Sequence, residues 1–112
     1  METEKPIYWI GTSLKDLLAF PEAAKKEAGY QLHRVQNGLN PDNWKFFQTV
    51  GAGTKEIRIS EDGNAFRVIY VANFSEKIYV LHSFQKKSRK TSSQDINIAK
   101  ARYSAILNEE KP

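Results

Sequence analysis

Cysteine is absent from the 112-residue sequence, which excludes disulfide bonds and thiolate metal sites. The fold must therefore be held by its hydrophobic core, and this suits a reducing cytoplasm. Long hydrophobic runs are also absent, since no segment approaches the roughly 20 apolar residues that span a bilayer and the charged N-terminus has no stretch of signal-peptide length. A chain of this length fits one core. We therefore expect a single cytoplasmic domain over residues 1–112, with no membrane association.

Residue patterns for metal or covalent chemistry are missing as well. The only two histidines, His33 and His82, lie far apart in the sequence and show no HxH or HxxxH spacing. The segment 51–55 contains two glycines and a lysine but lacks the spacer of a phosphate-binding loop, so we interpret it as a turn. No Gly-x-Ser-x-Gly elbow or Cys–His pair offers a nucleophile. We expect neither a metal nor a cofactor.

Hydrophobic periodicity predicts an α+β domain. The predicted elements are a strand at 6–10, helices at 14–20 and 21–37, strands at 55–60, 65–71 and 77–84, and a helix at 94–108. A polar loop is expected between the second helix and the strand that begins at 55. The Asp62-Gly63 step predicts a tight hairpin between two of the strands, and a second turn is expected at 73–76. These elements favour an antiparallel twisted sheet with helices packed against it.

Positive charge is concentrated in one short segment. The sequence has 17 Lys and Arg against 13 Asp and Glu, which gives a net charge of +4. Lys86, Lys87, Arg89 and Lys90 follow the last predicted strand, and together they equal that net charge. Such a cluster attracts phosphates through charge and counterion release. The alternative is a solvated loop that keeps a sheet edge soluble.

Two arginines interrupt otherwise apolar strands. Arg58 lies between Ile57 and Ile59, and Arg67 lies between Phe66 and Val68. If both arginines share a sheet face with the base of the 86–90 segment, they form a shallow cationic groove suited to phosphate, because guanidinium donates two parallel hydrogen bonds. The alternative is that they lie on an exposed face and pair with Glu56 or Glu61.

A histidine and several aromatic residues add candidates for RNA chemistry. The ordinary pKa of histidine near 6.5 suits His82 for proton transfer, although a lone histidine near a strand end is more often packed. Tyr70, Tyr79 and Phe84 can stack on unpaired bases, but aromatic residues in strands often serve packing. For Tyr70 and Tyr79 we favour a place in the core.

Three segments in this order resemble the phage-derived, HigB-like branch of the RelE/ParE toxin superfamily. They are Lys55-Glu56-Ile57-Arg58-Ile59, Phe66-Arg67-Val68-Ile69-Tyr70, and Val80-Leu81-His82-Ser83-Phe84-Gln85-Lys86-Lys87-Ser88-Arg89-Lys90-Thr91. A closing helix with Ile96, Ala99 and Arg102 follows, so the resemblance covers about residues 9–106. It implies a RelE-like (microbial RNase-like) fold with the order β-α-α-β-β-β-α.

The same resemblance implies a function. Members are toxins of type II toxin–antitoxin systems, many of which cleave messenger RNA on the ribosome without a metal and are silenced by a helix-turn-helix, HigA-like antitoxin. The catalytic positions carried over are Arg58, Arg67, His82, Lys86 and Lys87, and the RNA-binding positions are Lys55, Phe84, Arg89 and Lys90. Two alternatives stay open on the same fold: a ParE-like poison of DNA gyrase, and a non-catalytic regulator that binds nucleic acid.

Overall fold

The backbone forms five strands and three helices within the residues described by the computed structural model, 4–74 and 76–110. In chain order they are β1 (Ile7–Trp9), α1 (Ser13–Leu18), α2 (Glu22–Gln36), β2 (Trp44–Phe46), β3 (Thr54–Glu61), β4 (Asn64–Phe74), β5 (Lys77–Lys86) and α3 (Ser93–Glu110). This is a mixed α+β architecture, as predicted. None of the described helices has the length and apolar character needed to cross a membrane.

The five strands form one sheet in the order β1-β5-β4-β3-β2. Two features differ from the prediction. β2 lies where a loop was expected, because three residues are too few to show alternation, and it pairs antiparallel with β3. β1 pairs in parallel with β5, so the sheet is mixed instead of wholly antiparallel. β1 and β5 lie far apart in the chain, and their pairing depends on how the whole fold packs. The residue pattern within each short segment does not predict it.

The hairpin between β3 and β4 is built as predicted. Asp62 and Gly63 both have positive φ, 51° and 77°, which matches the two-residue turns that suit the twist of hairpin strands. Glu61 therefore lies opposite Asn64, and the pairing continues along the strands without a shift. The segment 51–53 is a turn that leads into β3, also as predicted. The turn expected at 73–76 includes residue 75, which lies outside the described residues.

Helices cover both faces of the sheet, and alternation along the strands supplies a core to each. The first core packs α1 and α2 on the sheet through Leu17, Phe20, Ala24, Ala28, Leu32, Val35, Ile57, Ile59, Phe66, Val68, Tyr70, Ile78 and Val80. The second packs α3 on the other face through Ile69, Val71, Tyr79, Leu81, Phe84, Ala99, Tyr103 and Ile106, with Val50 from the turn before β3. β4 and β5 contribute to both cores. Tyr70 and Tyr79 are buried in them, as favoured from the sequence.

Two irregularities in β5 shape the region where it ends. The register with β4 shifts between Ile69, which pairs with His82, and Tyr70, which pairs with Val80, so Leu81 is an extra residue in β5. The carbonyl of Leu81 instead accepts a hydrogen bond from Arg102 Nη1 of α3 at 2.9 Å. In addition, β1 pairs only with residues 78–80 of β5, so no described strand covers the outer edge of residues 82–86.

Candidate nucleic-acid interface

Arg58, Arg67 and Phe84 stand in one row across the three strands β3, β4 and β5. Arg58 is the direct partner of Arg67, and Arg67 is the direct partner of Phe84. Directly opposed residues of antiparallel strands project from the same face. That face is the one that carries α3, because Phe84 belongs to the α3 core. Lys86 lies two residues beyond Phe84, so it projects from this face too; we call these four residues the arginine face.

Arg67 is the buried member of the arginine face. It is only 6% exposed, its Nη1 donates a hydrogen bond to the carbonyl oxygen of Phe66 at 3.0 Å, and its Nε lies 3.9 Å from Glu56 Oε1. Burial lowers the pKa of Arg67, Glu56 opposes that shift and the neighbouring Arg58 adds to it. Guanidinium nevertheless stays charged in proteins.

The expectation of a groove open at both arginines therefore needs a correction. Arg67 pairs with Glu56, as in the alternative left open by the sequence, but the pair is buried and does not lie on the exposed face which that alternative supposed. Arg58 is partly exposed and is the arginine that solvent can reach. Arg67 Nε makes no hydrogen bond with the described residues, so this cation keeps an unused donor on the strand next to Arg58.

His82 is held by a carboxylate that sequence reasoning missed. His82 Nε2 lies 2.7 Å from Asp95 Oδ1 in the first turn of α3, and the imidazole stacks on the ring of Phe84 with centroids 4.9 Å apart. The carboxylate accepts a hydrogen bond from Nε2–H, while Nδ1 is buried and has no hydrogen-bond partner among the described residues. His82 itself is 5% exposed. An oriented imidazole with a free acceptor can take up a proton once a substrate reaches it.

Asp95 is itself fixed by the start of α3. Its backbone N–H donates to Ser92 Oγ at 3.1 Å, and the Ser92 hydroxyl donates to Asp95 Oδ2 at 2.8 Å. Ser92 caps the helix in this way. A serine followed three residues later by an acidic residue is a known capping spacing, and it was the signal that could have identified Asp95.

The cations after β5 surround a shallow groove of about 490 Å³. We call it the exit groove; its lining includes Asn64, Gln85, Lys86, Lys87 and Arg89. Lys86 is partly buried, whereas Lys87, Arg89 and Lys90 are exposed. Lys86 belongs to both the exit groove and the arginine face, so the two surfaces are continuous at this residue. A phosphate backbone crossing them meets positive charge on both sides of β5.

Lys55 does not join this surface. Successive side chains of a strand point to opposite faces, and Lys55 lies an odd number of positions from both Glu56 and Arg58 in β3. Lys55 therefore projects from the opposite face of the sheet. There its ammonium donates to Asn40 Oδ1 at 2.9 Å and lies 4.6 Å from the ring centroid of Trp44. The structure thus brings Arg58, Arg67, Phe84 and Lys86 together, with His82 beside them, and separates Lys55 from all of them. The catalytic and RNA-binding roles assigned to these residues stay predictions.

No three histidine, aspartate or glutamate side chains in residues 4–74 and 76–110 are grouped so that they could hold a metal ion. The arrangement offers partly exposed cations, a buried arginine and an oriented imidazole. Such groups can bind a phosphodiester, stabilise added negative charge and move a proton.

Comparison with known families identifies one match. The family model described as Phage derived protein Gp49-like (DUF891) matches residues 15–104. The matched span begins in α1, ends in α3 and contains the arginine face, His82 with Asp95, and the exit groove. A search of curated proteins finds no match.

Proposed function

The chain belongs to the phage-derived Gp49-like family of the RelE/HigB-like toxin superfamily, and we propose that it is the toxin of a type II toxin–antitoxin system that cleaves messenger RNA. In this proposal the toxin acts on RNA at the ribosome, inhibits translation and arrests growth. Its partner is an antitoxin with a helix-turn-helix domain, which silences it.

The observation that carries the proposal is the placement of the cations. Arg58 and Arg67 are direct cross-strand partners, and Lys86 projects from the same face two residues beyond the Phe84 that completes the row. The exit groove then continues the positive surface around the end of β5. Three of the five residues predicted to be catalytic, Arg58, Lys86 and Lys87, thus line one continuous surface. Arg67 is buried beside Arg58, and His82 stacks on Phe84.

RNA supplies its own nucleophile, which limits what the protein must do. The 2′-hydroxyl attacks the adjacent phosphorus, the bond to the 5′-oxygen breaks, one proton leaves the hydroxyl and one reaches the departing oxygen. We assign stabilisation of the added charge on the phosphate to Arg58 and Lys86, with Arg67 acting through its charge from beneath. His82, oriented by Asp95, is the candidate for proton transfer.

Alanine substitution of Arg58 tests this assignment. Arg58 is partly exposed, so its removal leaves both cores in place, whereas removal of the buried Arg67 disturbs the sheet. Removing one preorganised donor to a developing oxyanion costs about 10²- to 10³-fold in rate, and we expect Arg58→Ala to relieve growth arrest on induction and abolish discrete cuts in primer extension. Lys26→Ala, an exposed cation of α2 away from the arginine face, is the matched control and should stay toxic.

The outcomes separate the candidate functions. DNA damage without discrete RNA cuts would indicate a gyrase poison. Toxicity that disappears only with variants that no longer bind RNA, in the absence of any cuts, would indicate a non-catalytic binder. Undiminished cleavage by Arg58→Ala would refute the role given to the arginine face.

A further inference from the structure

A second cleft lies on the outer edge of β5, on the face that carries α1 and α2. Its volume is about 410 Å³, within the roughly 300–1,000 Å³ that is typical of small-ligand pockets. We call it the edge cleft; its lining includes Asp16, Phe20, Phe66, Ser83, Phe84 and Lys87. The cleft exists because β1 pairs with β5 only at residues 78–80. Beyond that point, the junction between α1 and α2 lines the cleft together with residues 82–85 of β5.

Three phenylalanines take part in the lining of the edge cleft. Phe20 and Phe66 pack against each other with ring centroids 4.9 Å apart, and Phe84 adds a third ring to the lining. Aromatic side chains in a cleft favour a flat, unsaturated ligand that packs against them. This is the first chemical requirement on the occupant.

A buried hydroxyl supplies a second requirement. Ser83 is 1% exposed, and its Oγ has no hydrogen-bond partner among the described residues. Ser83 pairs with Val68, a residue of the α1/α2 core, so its side chain projects from the face on which the edge cleft lies. An unsatisfied buried hydroxyl costs free energy. A ligand with a polar edge would remove that cost.

Charge at the edge cleft supplies the third requirement. Asp16 lines one side and accepts a hydrogen bond from Thr12 Oγ1 at one carboxylate oxygen, Oδ2. Lys87 and Gln85 line both the edge cleft and the exit groove, so the two are adjoining. The occupant therefore combines a planar ring bearing hydrogen-bond donors with an anionic group close to that ring.

We propose that the edge cleft binds a nucleobase of the RNA substrate while the phosphate of the same nucleotide lies in the exit groove. The proposal rests on the function proposed above and names its substrate contact. The base belongs to a nucleotide that flanks the cleaved bond, because Arg58 and Arg67 project from the other face of the sheet, while His82 and Phe84 at the edge of β5 line the cleft as well. The Asp16 carboxylate accepts from the exocyclic amino group of cytosine, adenine or guanine. Uracil offers only N3–H, which lies between two carbonyl oxygens that the carboxylate repels, so the site favours amino-bearing bases.

The first experiment measures binding without any cleavage. The full chain carrying Arg58→Ala is labelled with ¹⁵N and titrated with CMP and with UMP. We expect CMP to shift the amide signals of Ser83, Gln85 and Lys87 and to bind at least about tenfold more tightly than UMP, the discrimination typical of one good base contact. Asp16→Asn should remove that preference, and Lys15→Ala, an exposed neighbour on α1, should preserve it.

The second experiment uses Ser83→Ala in the otherwise unchanged chain. Because the hydroxyl has no partner among the described residues, we expect the variant to unfold at the same or a higher denaturant concentration, while the base preference of its cut sites weakens. CMP and UMP that leave these amides unshifted, together with unchanged cut sites for Ser83→Ala and Asp16→Asn, would overturn the inference. Nucleotide binding in the absence of any RNA cleavage would instead contradict the proposed function and still support base binding in the edge cleft.

Discussion

Replacing Glu56 by glutamine removes the carboxylate beside the buried Arg67 guanidinium while keeping the size of the side chain. Glu56 Oε1 lies 3.9 Å from Arg67 Nε, and the side chains of Arg67 and Glu56 are only 7% and 12% exposed. At this separation two unit charges attract by about 4 kcal/mol at an effective dielectric constant of about 20. Since glutamine leaves Arg67 charged and buried, we expect Glu56→Gln to lower the free energy of unfolding by about 2–4 kcal/mol.

Urea unfolding followed by circular dichroism at neutral pH measures this loss. Glu61→Gln is the matched control: Glu61 ends the same strand and forms no ion pair with the described residues, so we expect a change within about 0.5 kcal/mol. The double variant Glu56→Gln with Arg67→Met should lose less than the sum of the single variants, because it removes the unpaired charge along with its partner. If Glu56→Gln unfolds within about 0.5 kcal/mol of the unchanged protein, the account of Arg67 as a cation held by Glu56 is wrong.

Two further predictions concern the ends of α3. Asp95→Asn keeps an oxygen for Ser92 but removes the negative charge that orients His82, so we expect RNA cleavage to fall at least about tenfold with unchanged circular dichroism. Ser92→Ala should cost about 1 kcal/mol of stability and lower cleavage less than Asp95→Asn does, since the carboxylate remains. Equal activity of Asp95→Asn and the unchanged protein would contradict the role given to the Asp95 carboxylate. At the other end, the Tyr79 hydroxyl donates to Glu110 and, with Lys77, lowers the pKa of that carboxyl from its ordinary 4.5. A carboxyl group whose pKa is lowered in the folded protein stabilises the fold at pH values above its ordinary pKa, and this stabilisation is lost as the pH falls through the lowered pKa. The difference in stability between Glu110→Gln and the unchanged protein should therefore be largest at neutral pH and vanish when unfolding is measured in acid. A stability difference that does not change with pH would contradict this prediction.

The register of the arginine face could be derived from local sequence. A two-residue turn at Asp62-Gly63 places Glu61 opposite Asn64. Moving three residues away from the turn along each strand then places Arg58 opposite Arg67. Because alternation in a strand has a period of two, the turn also decides that both arginines share a face. Local turn chemistry and side-chain alternation are sufficient for this part of the site.

The position of His82 could not be derived in this way. The extra residue Leu81 shifts the register of β5, and the first turn of α3, distant in the chain, supplies the carboxylate of Asp95. Each of the two segments is visible in the sequence as a strand end and a helix cap. Their meeting depends on how α3 packs across the sheet.

By itself, the sequence determined the mixed α+β class, most helix and strand positions, the β3–β4 register and the clustering of cations after β5, because these depend on periodicity, turn residues and composition within short stretches of chain. Only the tertiary structure decided that Arg67 is buried against Glu56 and that the short β1 leaves a cleft beside Ser83. Burial, ion pairing and the coverage of a strand edge depend on which distant segments pack together, and that is set by the free energy of the whole fold.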